Sequence, residues 1–305
     1  MVISIVIPNY NGVDLLRENL PTLIASLKEA GETYEVIVVD DYSSDASVEF
    51  LHKQYPDIRV IVNERNYGFG RTCNVGIAAA NSEFTCVVNT DVQFKEQYFK
   101  NALEVLRRTD AFATLGDIHN CIDGHWDIHR TAGQLNFKRG LIRFTTASEL
   151  NPSRFGWRSG DQFLGLGCCF VARTEELKEL GGFNEIFIPF YWEDVDLCLR
   201  AFKAGLKVEY CYDCPVVHYA SGTIGRTRTN IKRRLVSQRN KFLFTWIHMT
   251  TKSERLLHAW YLFYSVALRW LVLDWKFYIS LSAAAIRYHR RRDKMWSIMR
   301  PAPGA

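Results

Sequence analysis

Glu35-Val-Ile-Val-Val-Asp-Asp-Tyr-Ser-Ser-Asp45 is an apolar, mostly β-branched run that ends on carboxylates and a turn cluster. Continuous rather than alternating apolar residues suit a strand buried on both faces. The Ser and Asp that follow suit a turn and a helix cap, which predicts a helix over Ala46–Tyr55. The same rhythm extends outward. Val2–Ile7 is an apolar run closed by Pro8-Asn-Tyr-Asn-Gly12, and Leu15–Leu27 has helical spacing. Val60–Val62, Arg71–Ala80 and Phe84–Asn89 read as strand, helix and strand. This alternation predicts βαβ units and a parallel, doubly wound α/β sheet. Such sheets bind ligands at the carboxyl ends of their strands, where Pro8–Asn11, Asp40–Asp45 and Asn89–Asp91 all fall.

The second half is less regular. Ala111 to Asp161 reads as short strands and loops on the acceptor side. Phe163–Ala172 reads as a buried strand, and Thr174–Leu180 and Trp192–Ala204 as helices. Lys207–Cys211 and Val216–His218 read as two short strands. Beyond them Thr223–Lys241 is basic and Phe242–Ile286 apolar and aromatic. Residues 226–305 carry 17 Lys and Arg against 3 Asp and Glu, while residues 1–225 carry 21 against 30. We therefore divide the chain into an α/β domain, 1–225, and a mainly helical, basic, aromatic segment, 226–305. No uncharged run is long enough to span a bilayer. Trp260, Trp270 and Trp275 suit an interfacial helix, and Arg287–Lys294 suits anionic headgroups. An ordinary helix packed on the domain is the alternative.

With 48% hydrophobic and 23% charged residues among 305, disordered, collagen-like and coiled-coil chains are excluded. The eight cysteines sit largely in apolar runs, which predicts reduced core thiols rather than a disulfide framework. Cys211-Tyr-Asp-Cys214 has no second pair, so neither zinc nor a redox role is expected. The opening residues lack the basic start of a secretory signal.

Several residues invite chemistry. Asp40 and Asp41 can accept from a base N–H or ribose hydroxyls, although Ser44 or Asp45 reads equally as a cap. Gly68 and Gly70 allow close backbone approach, and Arg71 at the helix start can meet a phosphate or simply be solvated. Asp91 at a strand end can hold a divalent ion that bridges phosphates, with His218 as a second ligand. Alone, His218 reads as readily as an ordinary core residue. Glu193, Asp194 and Asp196 open a helix, where acids suit the helix dipole, yet three are more than capping requires; one can serve as general base.

Together, Ile5–Gly12, Val38–Ser47, Asn66–Gly70, Asn89-Thr-Asp91, Gly181–Glu185 and Trp192-Glu-Asp-Val-Asp-Leu-Cys-Leu-Arg200 resemble family 2 glycosyltransferases, in the family's order. The resemblance covers about residues 2–222. It implies a GT-A fold (Rossmann-like, binding a nucleotide-diphospho-sugar) with a mainly helical C-terminal extension. It implies inverting, metal-dependent transfer of a hexose or deoxyhexose from a nucleotide sugar to a hydroxyl of a glycan or lipid-linked acceptor, as in cell-surface polysaccharide synthesis. Carried over, Pro8, Asn9, Asn11, Asp40, Asp41, Gly68, Arg71, Asn74, Asn89, Thr90 and Asp91 bind the donor. Asp91 and His218 hold Mn²⁺ or Mg²⁺, and Asp194, or its neighbour Glu193, is the base. Asn89 stands where many members have Asp, which leaves more of the metal binding to His218. Gly165–Cys168 and Gly181–Phe183 lie near the donor sugar and acceptor. The expected location is the cytoplasmic face of the inner membrane, held peripherally, with no nucleic-acid partner. A polyprenyl-phosphate sugar transferase, a silent sugar-nucleotide-binding scaffold and a nucleotidyltransferase are the alternatives.

Overall fold

The computed structural model describes residues 1–122, 125–129, 133–146, 167–219 and 230–298. The first strands form where the apolar runs lie: β1 (Ile3–Asn9), β2 (Tyr34–Asp40), β3 (Arg59–Val62) and β4 (Phe84–Val88). They pair in parallel in the order β3-β2-β1-β4. The connecting helices are α1 (Val13–Ala30), α2 (Ser47–Gln54) and α3 (Phe69–Ala79). Leu16, Leu20, Leu23 and Leu27 of α1 are buried against Ile3, Ile5 and Val38, as period-3.6 spacing requires.

The parallel order expected of the first half holds through β4. The nine-stranded sheet is mixed. It continues through β10 (Cys169–Arg173), β6 (Ala113–Ile122), β11 (Val208–Tyr219) and β5 (Val92–Phe94), with β7 (His125–His129) on β6. β10 runs antiparallel to both β4 and β6, and β11 runs parallel to β6 but antiparallel to β5. An apolar run declares burial, not direction, so its sequence could not show this. β8 (Gly133–Lys138) and β9 (Leu141–Thr146) form a separate hairpin. Helices α4 (Tyr98–Arg108), α5 (Thr174–Glu179) and α6 (Glu193–Lys203) complete this part.

β11 also corrects two cysteines. The two short strands expected there are one strand, with a register shift between Cys211 and Val216. The irregularity brings the Cys211 and Cys214 Cα atoms to 5.4 Å, and the two form a disulfide. Three residues of regular strand would separate them by about 10 Å. The other six cysteines are free thiols, as expected.

Residues 230–298 form α7 (Asn230–His248), α8 (Lys252–Leu271) and α9 (Trp275–Ile298). Phe242, Leu243, Phe244 and Ile247 of α7 share a buried cluster with Phe187, Val195 and Phe277. The helical segment therefore shares a core with the residues leading into α6. Of the expected segments, residues 147–161, 163–166 and 223–229 lie outside the described residues.

Candidate active site

The donor side is built at the ends of β1 and β2. Their register pairs Asn9 with Asp40. Asn9 Nδ2 donates to Asp40 Oδ1 (2.7 Å), and Ser43 donates to both Asp40 oxygens from its hydroxyl (2.6 Å) and backbone N–H (2.8 Å). Asp40 is fully buried and spends its carboxylate on this turn. Ser43 Oγ in turn accepts the Asn11 N–H, and the Asn11 side chain accepts from Ser44 N. Asn11 holds φ +50°, the left-handed region asparagine tolerates. Asp45 accepts from the N–H groups of Val13 and Ser47, the first residues of α1 and α2, so the capping reading holds there.

Asp41 braces the neighbouring loop. It accepts from Asn63 Nδ2 (2.9 Å) and from the backbone N–H groups of Tyr67 and Gly68 (both 2.8 Å). Gly68 has φ +84°, and a Cβ there would lie 3.1 Å from Pro189 Cα. Glycine meets both demands. The Arg71 guanidinium sits 3.9 Å from the Tyr67 ring centroid. Asn74, expected at the donor, turns its amide onto Phe183, accepting its N–H and donating to its carbonyl, both at 2.8 Å.

Antiparallel pairing of β11 with β5 sets His218 opposite Val92, next to Asp91. His218 Nε2 lies 3.3 Å from Asp91 Oδ1, and the Tyr219 N–H donates to the Asp91 carbonyl. Asp91 Oδ1 is shielded from solvent and makes no hydrogen bond among the described residues. An orphaned carboxylate oxygen facing an imidazole nitrogen fits a Mn²⁺ or Mg²⁺ site. Among the described residues no group of three or more His, Cys, Asp or Glu could hold a metal. Thr90 fixes the loop through its carbonyl, which accepts from Asn19 Nδ2. Asn89 is tied through its N–H to the Cys168 carbonyl.

The start of α6 carries Glu193 and Asp194. Tyr191 and Trp192, with φ +75° and +78°, turn the chain sharply into α6. Left-handed aromatic residues are strained, and such strain persists only where packing over-determines it. Burial, then the neighbouring Asp194 charge, pushes the Glu193 carboxyl up to about 8. Its Oε2 has no hydrogen-bond partner among the described residues. Asp194 is also raised by burial, but less freely. Backbone N–H groups of Val195, Asp194 and Gly167 hold its carboxylate and work against that rise. Burial pushes both carboxyls up, and the two acids titrate as a pair. Burial raises the Cys168 thiol, with the charges of Cys169, Asp91 and Asp194 adding to it. Cys168 therefore lies within electrostatic reach of both the metal-side acid and the base-side acid. Gly165 lies outside the described residues.

Asp196 is not catalytic machinery. It is fully buried, with Arg200 Nε 2.7 Å from one oxygen and His248 Nε2 2.8 Å from the other. Burial acts to raise its carboxyl, but the Arg200 charge and the His248 contact win and hold it below its ordinary value. Burial lowers His248. Lys203 Nζ, a donor only, faces His248 Nδ1 at 3.2 Å, so neutral His248 carries its proton on Nε2 and donates to Asp196. Arg200 also donates to the Gly182 and Leu180 carbonyls.

Sequence reading missed the residues that hold the loop before α6. The fully buried Asn240 Nδ2 of α7 donates to the carbonyls of Phe187 (2.6 Å), Phe190 (2.9 Å) and Tyr191 (2.8 Å). Arg239 donates to Ile188 O at 2.6 Å, and Arg287 of α9 reaches the Ile186 and Ile188 carbonyls. The one available signal was an amide inside an apolar helical run, Asn240-Lys-Phe-Leu-Phe244.

A mixed α/β sheet with carboxylates and an imidazole gathered at its strand ends is the GT-A architecture of transferases that use nucleotide-activated sugars. The chain belongs to glycosyl transferase family 2, whose profile matches residues 4–180, and is a glycosyltransferase. It is 27% identical over 237 residues to the N-acetylglucosaminyl-diphospho-decaprenol L-rhamnosyltransferase of Mycobacterium tuberculosis, covering 68% of this chain and 74% of that one. In fold it resembles S. aureus TarS 1–349 in complex with UDP-GlcNAc, with TM-score 0.59, 18% identity, and coverage of 97% of this chain and 84% of that one. GalNAc-T7 with UDP, GalNAc and Mn²⁺ gives TM-score 0.59 at 13% identity, covering 81% of this chain and 48% of that one.

Proposed function

We propose that the chain transfers a sugar from a nucleoside diphosphate to an acceptor hydroxyl with inversion, acting on a glycan or lipid-linked acceptor of cell-surface polysaccharide synthesis. The observation that carries this reading is the pairing of two sites across the strand ends. Asp91 Oδ1 faces His218 on one side, and Asp194, gripped by the Gly167 N–H, stands on the other. In this reading Pro8, Asn9, Asn11, Asp40, Asp41, Gly68, Arg71, Asn89 and Thr90 shape the nucleotide pocket, and Asn74 supports it through Phe183. Asp91 and His218 would hold Mn²⁺ or Mg²⁺, which when bound offsets charge on the leaving diphosphate.

Asp194 accepts the acceptor's hydroxyl proton as that oxygen attacks the anomeric carbon. The attack comes from the face opposite the leaving group, so one displacement inverts the centre. Glu193 stays protonated and leaves Asp194 as the charged member of the pair. We place the reaction at the cytoplasmic face of the inner membrane, with residues 1–225 as the catalytic domain and residues 226–305 as the peripheral contact. Mycobacterial decaprenol-linked chemistry in the relative supports a lipid-linked acceptor, and the basic C-terminal segment supports anionic headgroups.

The test is release of nucleoside diphosphate from a panel of nucleotide sugars with Mn²⁺ or Mg²⁺ and acceptor. Asp91→Ala should remove metal-dependent turnover. Asp194→Asn should lower turnover by ~10²–10⁴-fold with donor affinity kept. Near-normal turnover of Asp194→Asn would overturn the base role and favour a phosphate acceptor, which needs little general base.

A further inference from the structure

Helix α8 is inside out. Between Arg255 and Arg269 lie thirteen residues without an Asp, Glu, Lys or Arg. Within that stretch His258 and Ser265 face the protein. His258 is buried, accepts from Trp246 Nε1 at 2.7 Å and makes a 2.5 Å contact to the Gly140 carbonyl, while Ser265 is buried too. Its apolar members face outward. Leu256, Trp260, Phe263 and Trp270 recur at helical spacing on the open side, Phe263 at 70% exposure. The ridge continues into the elbow before α9, where Leu271, the last residue of α8, and Leu273 are 75% and 73% exposed. A surface helix ordinarily shows the reverse pattern. An exposed apolar face of this extent marks an interaction site.

The rim decides the partner. Lys252 and Arg255, in the first turn of α8, are exposed beside the ridge. The acids beside it are already engaged: Glu254 accepts the N–H groups of Thr250 and Thr251 at the helix cap, and Asp274 pairs with Arg269. A second copy docked face to face would bring two basic segments together. A bilayer with anionic lipid matches both the apolar ridge and the positive rim. No described helix is long and apolar enough to cross a membrane, so the ridge lies in the plane of the interface. Trp260, Trp270 and Trp275 suit that depth.

We propose that the outward face of α8 and the α8–α9 elbow insert into the headgroup–acyl boundary of an anionic bilayer, and that this apolar insertion, rather than the basic charge, holds the enzyme there. Arg287, which the sequence offers as a headgroup ligand, turns inward onto backbone carbonyls, as does Arg239, so the contact rests on the ridge. The inference deepens the membrane contact of the proposed function and rests on it only for its purpose.

The experiment is flotation of the full chain with phosphatidylcholine vesicles, with and without about one-third phosphatidylglycerol, in low and high salt. Tryptophan emission is recorded in parallel. The expected result is flotation with the anionic vesicles, a blue shift on binding, and most of the binding kept in high salt. Phe263→Glu combined with Leu271→Glu, both on exposed positions, should weaken binding at least ~10-fold while donor turnover on a soluble acceptor is kept. Lys252→Glu combined with Arg255→Glu should weaken it much less. No flotation, full release by salt, or equal flotation of the Phe263/Leu271 variant overturns the proposal. So does a vesicle-free dimer of the wild type that the same variant makes monomeric. Soluble-acceptor turnover reports separately on the glycosyltransferase reading.

Discussion

Replacing Asn240 by alanine should damage catalysis from a residue that touches no substrate. Its amide nitrogen lies within 2.9 Å of three carbonyls in the loop that delivers Glu193 and Asp194. An NH₂ group has two hydrogens, so it serves two of the three fully at any moment. Alanine leaves at least two buried carbonyls without a donor, at ~1–3 kcal/mol each, so about 3 kcal/mol is a fair total. At roughly 2 °C per kcal/mol for a chain of this size, Tm should fall by about 6 °C. Below that temperature the protein remains folded, but the left-handed turn at Tyr191 and Trp192 loses its anchor. A displacement of about 1 Å at a reacting group can cost ~10²-fold in rate. The donor turn of Asn9, Asp40 and Ser43 is hydrogen-bonded within itself, so donor affinity should hold within about threefold. The assay is kcat for sugar transfer beside donor Kd by calorimetry, at a temperature where thermal scans show both proteins folded. Wild-type kcat in folded Asn240→Ala would refute the reasoning. So would a loss in donor affinity as large as the loss in kcat.

Glu193 has its carboxyl raised to about 8, so folding favours its protonated form. The stability this contributes is complete below its ordinary value and is lost as pH rises through about 8; Glu193→Gln should flatten that decline in Tm, and an unchanged pH slope would count against it. The same variant should keep turnover if Asp194 is the base, and inactivity would hand the role to Glu193. Asp196→Asn leaves Arg200 buried without its counter-charge and should cost ~3–5 kcal/mol in denaturant unfolding; a change under about 1 kcal/mol would argue that the ion cluster adds little. Gly68→Ala forces a Cβ onto Pro189 at φ +84° and should cost ~1–3 kcal/mol along with weaker donor binding, read by calorimetry.

Residues whose roles are local were readable from the chain. Val36–Val39 announces a buried strand, and Leu16, Leu20, Leu23 and Leu27 announce the face of α1, because period and burial are properties of neighbours in sequence. The quoted motifs and strand ends pointed to Asp91 and His218, which the fold brings together although they lie more than a hundred residues apart. Three things were not readable. The reversal of β10 depends on which partners it finds in the sheet. The Cys211–Cys214 bond depends on an irregularity in β11 that spacing does not display. Asn240, Arg239 and Arg287 act on carbonyls some 50 to 100 residues away, and backbone carbonyls carry no side-chain signature at all. Asp196 shows the opposite error: it follows Glu193 and Asp194 within the same helical turn, yet helical geometry points it inward to Arg200.

The clasp of α7 on the loop before α6 bears on how such chains can be recombined. The family profile ends at residue 180, and the change in charge invites a cut near residue 225. A junction at residue 180 keeps these partners on one piece, but a chimera joined near residue 225 would separate Asn240 from the three carbonyls it serves and His248 from Asp196. It would also expose Phe187 and Val195, which are buried against Phe242 and Phe244. The exchangeable unit is therefore the turn into α6 together with the helices that grip it. Segments can be exchanged between relatives with this clasp intact only if that whole block travels as one piece.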